Sequence, residues 1–318
     1  MNRYKLLAKV IAVGMFIGVA SALSSQPAYA DDPLAGSDTA IILGGTTEPT
    51  PDTAFAQTAE NLYLNALGFD DGATYSTVCD MNGVDPCSAP LQVLTTPELI
   101  QQGPSSLTAA DDVTLAVENE FNADPGAFSP EHPLTIFGYS QSATAESIAM
   151  SQLAAAKIPS DDLHFVFIGD PSLPDGAWPN LVPDLDSIFG TSLTNTLLTD
   201  LGFDGVLGNL TPDDIYPTTI YTLADDGVAE FQQDFESGGL LGTIEGLFLQ
   251  HVEYLGLTPA EIANATTSTN DLLTYVDIPD NINNADAWLS AVFEHGAAGS
   301  GLLESVFQSL ELYLTNTF

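Results

Sequence analysis

Residues 134–156 combine three elements that together restrict the fold: an apolar run, a turn that contains a serine, and a stretch of small residues. The run LTIF at 134–137 lies between a proline and a glycine, and it predicts a strand that is covered on both faces. The alanine-rich segment at 143–156 predicts a helix. A buried strand, a sharp turn and a helix in this order are typical of an α/β fold, in which the turn raises the hydroxyl of Ser140 above the edge of the sheet.

Ser140 lies in the segment FGYSQSA, which departs at one position from the usual G-x-S-x-G pattern of such a turn. Gly138 supplies the first glycine, but Ser142 stands where the second is expected. Because serine is small, we expect the strand and the helix still to pack closely. Ser140 is therefore a candidate nucleophile, and a serine that merely caps the helix is the alternative.

The alternation of strands and helices extends over most of the chain. Apolar runs predict further strands at 40–43, 164–168 and 218–223, and helical spacing predicts helices at 52–67 and from about residue 108. This alternation predicts an α/β-hydrolase-type, mostly parallel sheet with helices on both faces, in one domain over residues 31–284. An apolar insertion at about 171–217 is interpreted as a lid or acyl-binding wall, or as packing over the sheet edge. The spacing of apolar residues over 285–318 predicts a tail of two amphipathic helices joined at 296–301.

The first thirty residues have the order of a secretory signal peptide. Arg3, Lys5 and Lys9 precede an apolar stretch at 10–23, and the sequence AYA at 28–30 has the pattern of a cleavage site. The apolar stretch is short for a membrane span, and an uncleaved N-terminal anchor is the alternative. We therefore expect a protein that is secreted or held in the cell envelope.

The charge of the chain excludes some classes of partner. The sequence has 4 Lys and Arg residues against 43 Asp and Glu residues, and Lys157 is the only one of the four that follows residue 30. Such a surface repels nucleic acid and anionic lipid headgroups, so no nucleic acid partner is expected. No two of the four histidines have the spacing of metal ligands, and no metal ion or other cofactor is expected.

Cys79 and Cys87 are the only cysteines, and they lie on either side of a turn-rich segment. In an exported protein such a pair predicts a disulfide with a structural role. A metal-binding pair is the alternative, but the sequence offers no further cysteine and no nearby histidine to complete a metal site.

A nucleophilic serine needs a histidine as its base, and the position of each histidine along the strands separates the candidates. His132 and His164 lie at the starts of strands, whereas chemistry in an α/β sheet gathers at the carboxyl ends. His251 and His295 both follow the last predicted strand, in agreement with the order Ser, Asp, His that this type of fold uses. Both remain candidates for the base.

The acid that orients the histidine should follow a strand beyond Ser140. Asp225 and Asp226 follow the strand at 218–223, and Asp170 follows the strand at 164–168. Most of the 43 acidic residues are expected to be solvated surface groups, so position along the fold selects these three candidates.

Two backbone regions are candidates for an oxyanion hole. The residue after the nucleophile, Gln141, supplies one N–H group, and a loop after an early strand supplies the second. The segment GGTT at 44–47 fits this loop because its glycines permit close approach of the backbone. The hydroxyl of Thr46 is an additional donor.

Several segments resemble the PE-PPE domain family of mycobacteria and their relatives. In chain order they are IILGGTTEPTPD, TTPELI with SSLTAADDV, FGYSQSATAES, FIGDPSLPDG, YTLADDGVAEF and LFLQHVEYL, and they cover roughly residues 40–255. These families contain serine esterases and acyltransferases of the cell envelope with an α/β-hydrolase fold, related to cutinases. The resemblance implies Ser140 as the nucleophile, Asp226 as the acid and His251 as the base. Its likeness to cutinases supports Gln141 and Thr46 as oxyanion residues.

Two positions depart from the family pattern. Asp225 replaces a tyrosine that precedes the family acid, and Asp170 stands where the family has asparagine, which adds a competing carboxylate. The chain also starts with a segment like a signal peptide rather than a PE or PPE module, which implies general secretion.

The resemblance implies carboxylic ester chemistry through an acyl-enzyme. The expected substrates are acyl esters of lipids or glycolipids, with water or a sugar hydroxyl as the acyl acceptor and with peripheral association to the cell envelope. A non-catalytic envelope or adhesion protein with the same fold is the alternative, because fold alone does not fix function.

Overall fold

A computed structural model of the protein describes residues 32–73, 76–279 and 284–294. The predicted signal peptide at 1–30, His295 and the second helix of the predicted tail lie outside these ranges. The first helix of the predicted tail is present as Ala285–Glu294.

In the described residues, eight strands form a single sheet. They are β1 (Ala40–Ile42), β2 (Val78–Asp80), β3 (Leu91–Val93), β4 (Leu134–Tyr139), β5 (Leu163–Ile168), β6 (Thr218–Leu223), β7 (Thr266–Asn270) and β8 (Leu273–Ile278). Their order across the sheet is β2-β3-β1-β4-β5-β6-β8-β7. Neighbouring strands pair in parallel, except that β7 pairs antiparallel with β8. The prediction of a mostly parallel sheet is confirmed.

The α-helices are α1 (Thr53–Ala59), α2 (Gln102–Ala123), α3 (Gln141–Ala156), α4 (Ala177–Phe189), α5 (Thr191–Asp200), α6 (Phe231–Phe248), α7 (Gln250–Glu253), α8 (Pro259–Ile262) and α9 (Ala285–Glu294). They cover both faces of the sheet. Successive side chains of a strand point to opposite faces, so a strand that is apolar throughout packs against helices on both sides. In β1, Ile42 packs in a core with residues of α1, whereas Ile41 packs in a second core with residues of α2 and α3.

The strand order determines where a site can form. β1 lies between β3 and β4, and α1, after β1, lies on the opposite face of the sheet from α3, after β4. The two connections therefore leave the carboxyl end of the sheet at neighbouring points and in opposite directions. The crevice that opens between such connections is where α/β proteins bind ligands. The segment 44–47 follows β1, and Ser140 follows β4.

The sequence-based predictions miss four strands. β2 and β3 have three residues each, too few to show a periodic pattern, and β7 is exposed throughout. β8 follows His251 and pairs with β6, so the strand at 218–223 is not the last one, and the expectation that it was is wrong. Short and polar strands are recognised only by their partners in the sheet.

Two helices differ from their predicted bounds. α2 begins at Gln102, about six residues before the expected start. Pro104 does not prevent this early start, because a proline is tolerated in the first turn of a helix. Residues 52–67 do not form one α-helix, since α1 ends at Ala59 and a π-helical turn and a 3₁₀ turn follow it. Gly68, with φ 99°, ends the last of these turns in the left-handed conformation.

The predicted disulfide between Cys79 and Cys87 is confirmed, with Cα atoms 6.3 Å apart. Cys79 lies on β2, and Cys87 precedes β3, so the bond closes the loop between these two strands. Across the described ranges, the helices are too short or too polar for any of them to traverse a bilayer.

Candidate active site

Ser140 lies at the sharp turn between β4 and α3. Its backbone has φ 58° and ψ −110°, a conformation that residues other than glycine rarely adopt. The Ser140 N–H donates to the carbonyl oxygen of Ile168 at 3.0 Å, which holds the turn against the neighbouring strand β5. A strained strand–turn–helix of this kind is the geometry of a nucleophile elbow.

Ser142 shows how the turn tolerates the departure from G-x-S-x-G. Its hydroxyl accepts a hydrogen bond from the Tyr139 N–H at 2.8 Å and donates to the Tyr139 carbonyl oxygen at 3.1 Å. A Cβ atom at Gly138 would lie 2.5 Å from a carboxylate oxygen of the buried Glu146 and 3.0 Å from the Ala143 nitrogen, so a larger residue there would have to displace Glu146. At the second position, a side chain that bonds to the turn itself replaces the glycine.

The structure brings Ser140, His251 and Asp226 together. Ser140 Oγ lies 2.7 Å from His251 Nε2, and His251 Nδ1 lies 2.9 Å from both carboxylate oxygens of Asp226. Because a carboxylate only accepts, Nδ1 carries a proton, and Nε2 of the neutral imidazole accepts the Ser140 O–H. His251 and Asp226 are both buried.

Asp226 is surrounded by donors. It accepts hydrogen bonds from the Tyr254 hydroxyl at 2.7 Å and from the N–H groups of Val228 and Ala229 at 2.9 and 3.2 Å. Burial alone would raise the pKa of Asp226, but the attraction of the His251 ring in its protonated form, with the hydrogen bonds from His251, Tyr254 and Val228, holds this pKa below its ordinary value. The site therefore keeps Asp226 ionised beside His251.

The two competing acidic residues make other contacts. Asp225 is exposed, and its N–H donates to Glu230. Asp170 is fully buried, but its oxygens accept from the Ser172 N–H at 2.8 Å and the Thr211 hydroxyl at 2.5 Å. Burial raises the pKa of Asp170 to about 6. Neither residue bonds to His251 in the described structure.

The histidines at the strand starts lie at the other end of the sheet. His132 precedes β4 and its Nδ1 lies 2.8 Å from the Gly36 carbonyl oxygen. His164 is buried on β5 beside the Thr219 hydroxyl at 2.9 Å, and burial lowers its pKa to about 4. His164 is therefore a neutral core residue at physiological pH.

The predicted oxyanion residues flank Ser140. Gln141 is the first residue of α3, where the N–H has no acceptor within the helix. A Cβ atom at Gly45 would lie 3.5 Å from Ser140 Cβ, so the segment 44–47 passes beside the nucleophile. The Thr46 hydroxyl accepts from Gln102 Nε2 at 3.0 Å and lines the same cavity as Ser140, where its own proton can be donated to a ligand.

Three residues that contact His251 or its partner Asp226 are not predicted from the sequence. The Tyr139 hydroxyl donates to the His251 carbonyl oxygen at 2.5 Å, and Tyr254 bonds to Asp226 as described. A Cβ atom at Gly169 would lie 3.0 Å from His251 Cε1. The one signal for Gly169 is its position directly after β5; the tyrosines give none, because their roles depend on distant segments.

A cavity of about 260 Å³ opens at Ser140 and His251, and its walls are mostly apolar. Two segments supply much of the wall: Trp178, Leu181 and Phe203 from the insertion, and Leu240, Ile244 and Leu247 from α6. The indole N–H of Trp178 donates to the Thr144 hydroxyl at 2.8 Å, which fixes the ring against α3.

The sheet, the elbow and the order of the three side chains define an α/β-hydrolase fold. The model of the PE-PPE domain matches residues 84–285, and the chain belongs to this family. The resemblance noted in the sequence is thereby confirmed.

Two relatives come from Mycobacterium tuberculosis. The PPE family protein PPE28 is 31% identical over 80% of this chain and 34% of its own length. The esterase PE16 is 27% identical over 77% of this chain and 43% of its own length. The chain thus spans between a third and a half of the length of these relatives.

Among solved structures, a lipase-esterase related protein from Clostridium acetobutylicum is similar over 86% of this chain and 94% of that one. The two are 9% identical, with a TM-score of 0.33. The fold assignment therefore depends on the strand order and pairing of this chain itself.

Proposed function

We infer that the protein is a serine esterase that acts on carboxylic esters with apolar acyl groups. The observation that carries this inference is the hydrogen-bonded series from Ser140 Oγ through His251 to Asp226, at the mouth of an apolar cavity. Membership of the PE-PPE family, with a relative named as an esterase, supports it.

In the proposed reaction, His251 Nε2 takes the hydroxyl proton as Ser140 Oγ attacks the ester carbonyl carbon. The carbonyl π electrons move to oxygen, and the Gln141 N–H and Thr46 stabilise the resulting anion. When the tetrahedral intermediate collapses, the ester C–O bond breaks, and the departing alcohol takes the proton from His251. The acyl group remains on Ser140 as an ester.

Deacylation repeats these steps with a second nucleophile. Water gives a free acid, and a sugar hydroxyl gives an acylated sugar; in both cases His251 takes the proton of the attacking group, and Ser140 recovers its hydroxyl. We propose acyl esters of envelope lipids as the natural substrates, because the apolar cavity wall suits an acyl chain and the family resemblance implies the cell envelope. The disulfide and the signal-like start of the sequence support action outside the cytoplasm.

Replacement of Ser140 tests the function. Ser140→Ala should abolish hydrolysis of a chromogenic ester series and labelling by a fluorophosphonate. Ser151→Ala is the matched control, since Ser151 is exposed on the same helix α3 and should retain both properties. Labelling of the Ser140 variant at the wild-type rate would refute the nucleophile.

A second measurement separates the remaining roles. With a disaccharide added as acceptor, mass spectrometry of the products reports how the acyl group divides between water and sugar. If the folded wild-type protein neither turned over any ester in the series nor reacted with the phosphonate, the non-catalytic alternative would replace the esterase proposal.

A further inference from the structure

Apolar surface continues from the cavity onto the outside of the protein along the second half of α6. Leu240, Ile244 and Leu247 line the cavity, and Ile244 is also 38% exposed. Leu241, which does not line the cavity, is 77% exposed and lies one helical turn from Ile244. We call Leu240, Leu241 and Ile244 the α6 rim.

The facing helix α4 carries a matching stripe. Leu181 lines the cavity, and Ile188 lies seven residues later, on the same face of the helix and about 10 Å further along it. Ile188 and its neighbour Phe189 are 49% and 42% exposed. The two helices contact each other, and each carries exposed apolar side chains in addition to those that line the cavity. Exposed apolar side chains that extend from a cavity onto the surface are typical of an interaction site.

The α6 rim has a fixed orientation relative to the candidate catalytic residues. Gly239, with φ 63° and ψ −162°, breaks α6 directly before the rim and lets the second half take a new direction. Further along, a Cβ atom at Gly246 would lie 2.4 Å from the Gly227 nitrogen, so this half packs backbone against backbone on the loop that holds Asp226. The rim is therefore packed directly against the loop that holds Asp226, and its position relative to the site is fixed.

The charges around the rim restrict what it can contact. On α6, Glu236 precedes the rim and Glu245 follows Ile244, and Asp184 on α4 lies near Glu236. Lys157 lies at the far end of α3, about 26 Å along that helix from Ser140. An anionic membrane would be repelled here, and a second copy of the chain would bring like charges together. A surface without net charge would not be repelled by these acidic groups.

We propose that the α6 rim seats on the surface of an uncharged lipid aggregate, so that an acyl chain passes from the lipid into the cavity beside Ser140. This proposal rests on the proposed esterase function for its purpose, but the docking itself does not require catalysis. The free energy gained on entering a lipid surface increases with the apolar area that leaves water. Leu241 is the most exposed residue of the rim, so it is the residue to change.

Vesicle flotation of the full chain tests the docking. Wild type and Ser140→Ala should both float with phosphatidylcholine vesicles, and the bound fraction should fall as phosphatidylglycerol is added. Leu241→Glu should lower binding to phosphatidylcholine at least fivefold. Leu115→Glu is the matched control, because Leu115 is 47% exposed on α2, about 20 Å along that helix from Gln102 at the cavity.

Kinetics separate docking from catalysis. Leu241→Glu should hydrolyse a monomeric water-soluble ester at the wild-type rate, and a vesicle-embedded ester at least fivefold more slowly. Equal vesicle binding by wild type and Leu241→Glu would overturn the proposal, as would a wild-type dimer that Leu241→Glu dissociates, since that result assigns the rim to a second copy. Rim-dependent vesicle binding by a protein without ester turnover would instead refute the proposed function and retain the docking surface.

Discussion

The Tyr254 hydroxyl donates a 2.7 Å hydrogen bond to Asp226, the carboxylate that holds His251. The same hydroxyl accepts from the Leu223 N–H at 2.8 Å, so Tyr254 links the acid to the end of β6. Tyr254 is buried, and it lies three residues after His251. One short helical segment therefore supplies both the imidazole and a donor that fixes its carboxylate partner.

Tyr254→Phe should lower kcat about tenfold and leave KM unchanged. The reason is that a hydrogen bond to a charged group contributes roughly 1.5–3 kcal/mol, and its loss lets Asp226 move away from the orientation that holds His251. Steady-state kinetics on a soluble ester measure this split. Tyr216→Phe is the control, since that hydroxyl donates to the Ile158 carbonyl oxygen far from the site. An unchanged kcat in Tyr254→Phe would show that the bond to Asp226 is only structural.

Gly169→Ala should lower kcat more than tenfold because the new Cβ would lie 3.0 Å from His251 Cε1 and displace the ring. The substitution also strains the backbone, since φ at Gly169 is 58°, and this costs roughly 1–2 kcal/mol of stability. Gly126→Ala separates the two effects. Gly126 has φ 96°, and apart from its chain neighbours no atom of the described residues lies within 4 Å of the added Cβ, so that variant should lose stability and keep kcat. Equal kcat values for the two variants would contradict a steric role for Gly169.

Much of the site could be predicted because its parts follow strands that are locally recognisable. β4 and β6 are buried along their whole length, so their apolar runs indicate where they end and which polar residues come next. Strand polarity alone then rejects His132 and His164. The spacing of residues could not show whether Asp225 or Asp226 is the acid. The two are adjacent and chemically identical, and they differ in burial, which is determined by tertiary packing.

The parts that could not be predicted depend on contacts between distant segments. Tyr254 bonds to Asp226 across 28 positions, and Tyr139 bonds to His251 across 112. β8 becomes recognisable as a strand of the main sheet through its pairing with β6. No local periodicity encodes such partners.

Asp226→Asn should lower kcat on the order of 10⁴-fold, since an amide cannot stabilise the imidazolium and favours the wrong tautomer. The two competing acids provide matched controls with the same chemical change. Asp225→Asn alters an exposed residue with φ 63°, a conformation that asparagine tolerates, and should leave kcat unchanged. Asp170→Asn keeps an acceptor for the Ser172 N–H and should also retain activity. A large loss in Asp170→Asn with a small one in Asp226→Asn would reassign the acid.

Glu98 should make the protein less stable as the pH rises. Its carboxyl is almost fully buried, with one oxygen accepting from the Thr96 hydroxyl at 2.8 Å, and burial raises its pKa to about 8. In the unfolded chain the pKa is about 4.3, so the unfolded state releases this proton first. The contribution to stability is complete below about pH 4.3 and is lost as the pH rises through about 8.

Glu98→Gln should remove this pH dependence and keep an acceptor for Thr96. Relative to wild type, its free energy of unfolding should rise between pH 5 and pH 7 by about 2–3 kcal/mol, from about 1.4 kcal/mol per pH unit for one proton. Urea unfolding followed by tryptophan fluorescence at the two pH values measures the difference. Glu131→Gln, at an exposed position, should show no such change. The same difference from wild type at both pH values would mean that Glu98 is already ionised in the folded protein at pH 5.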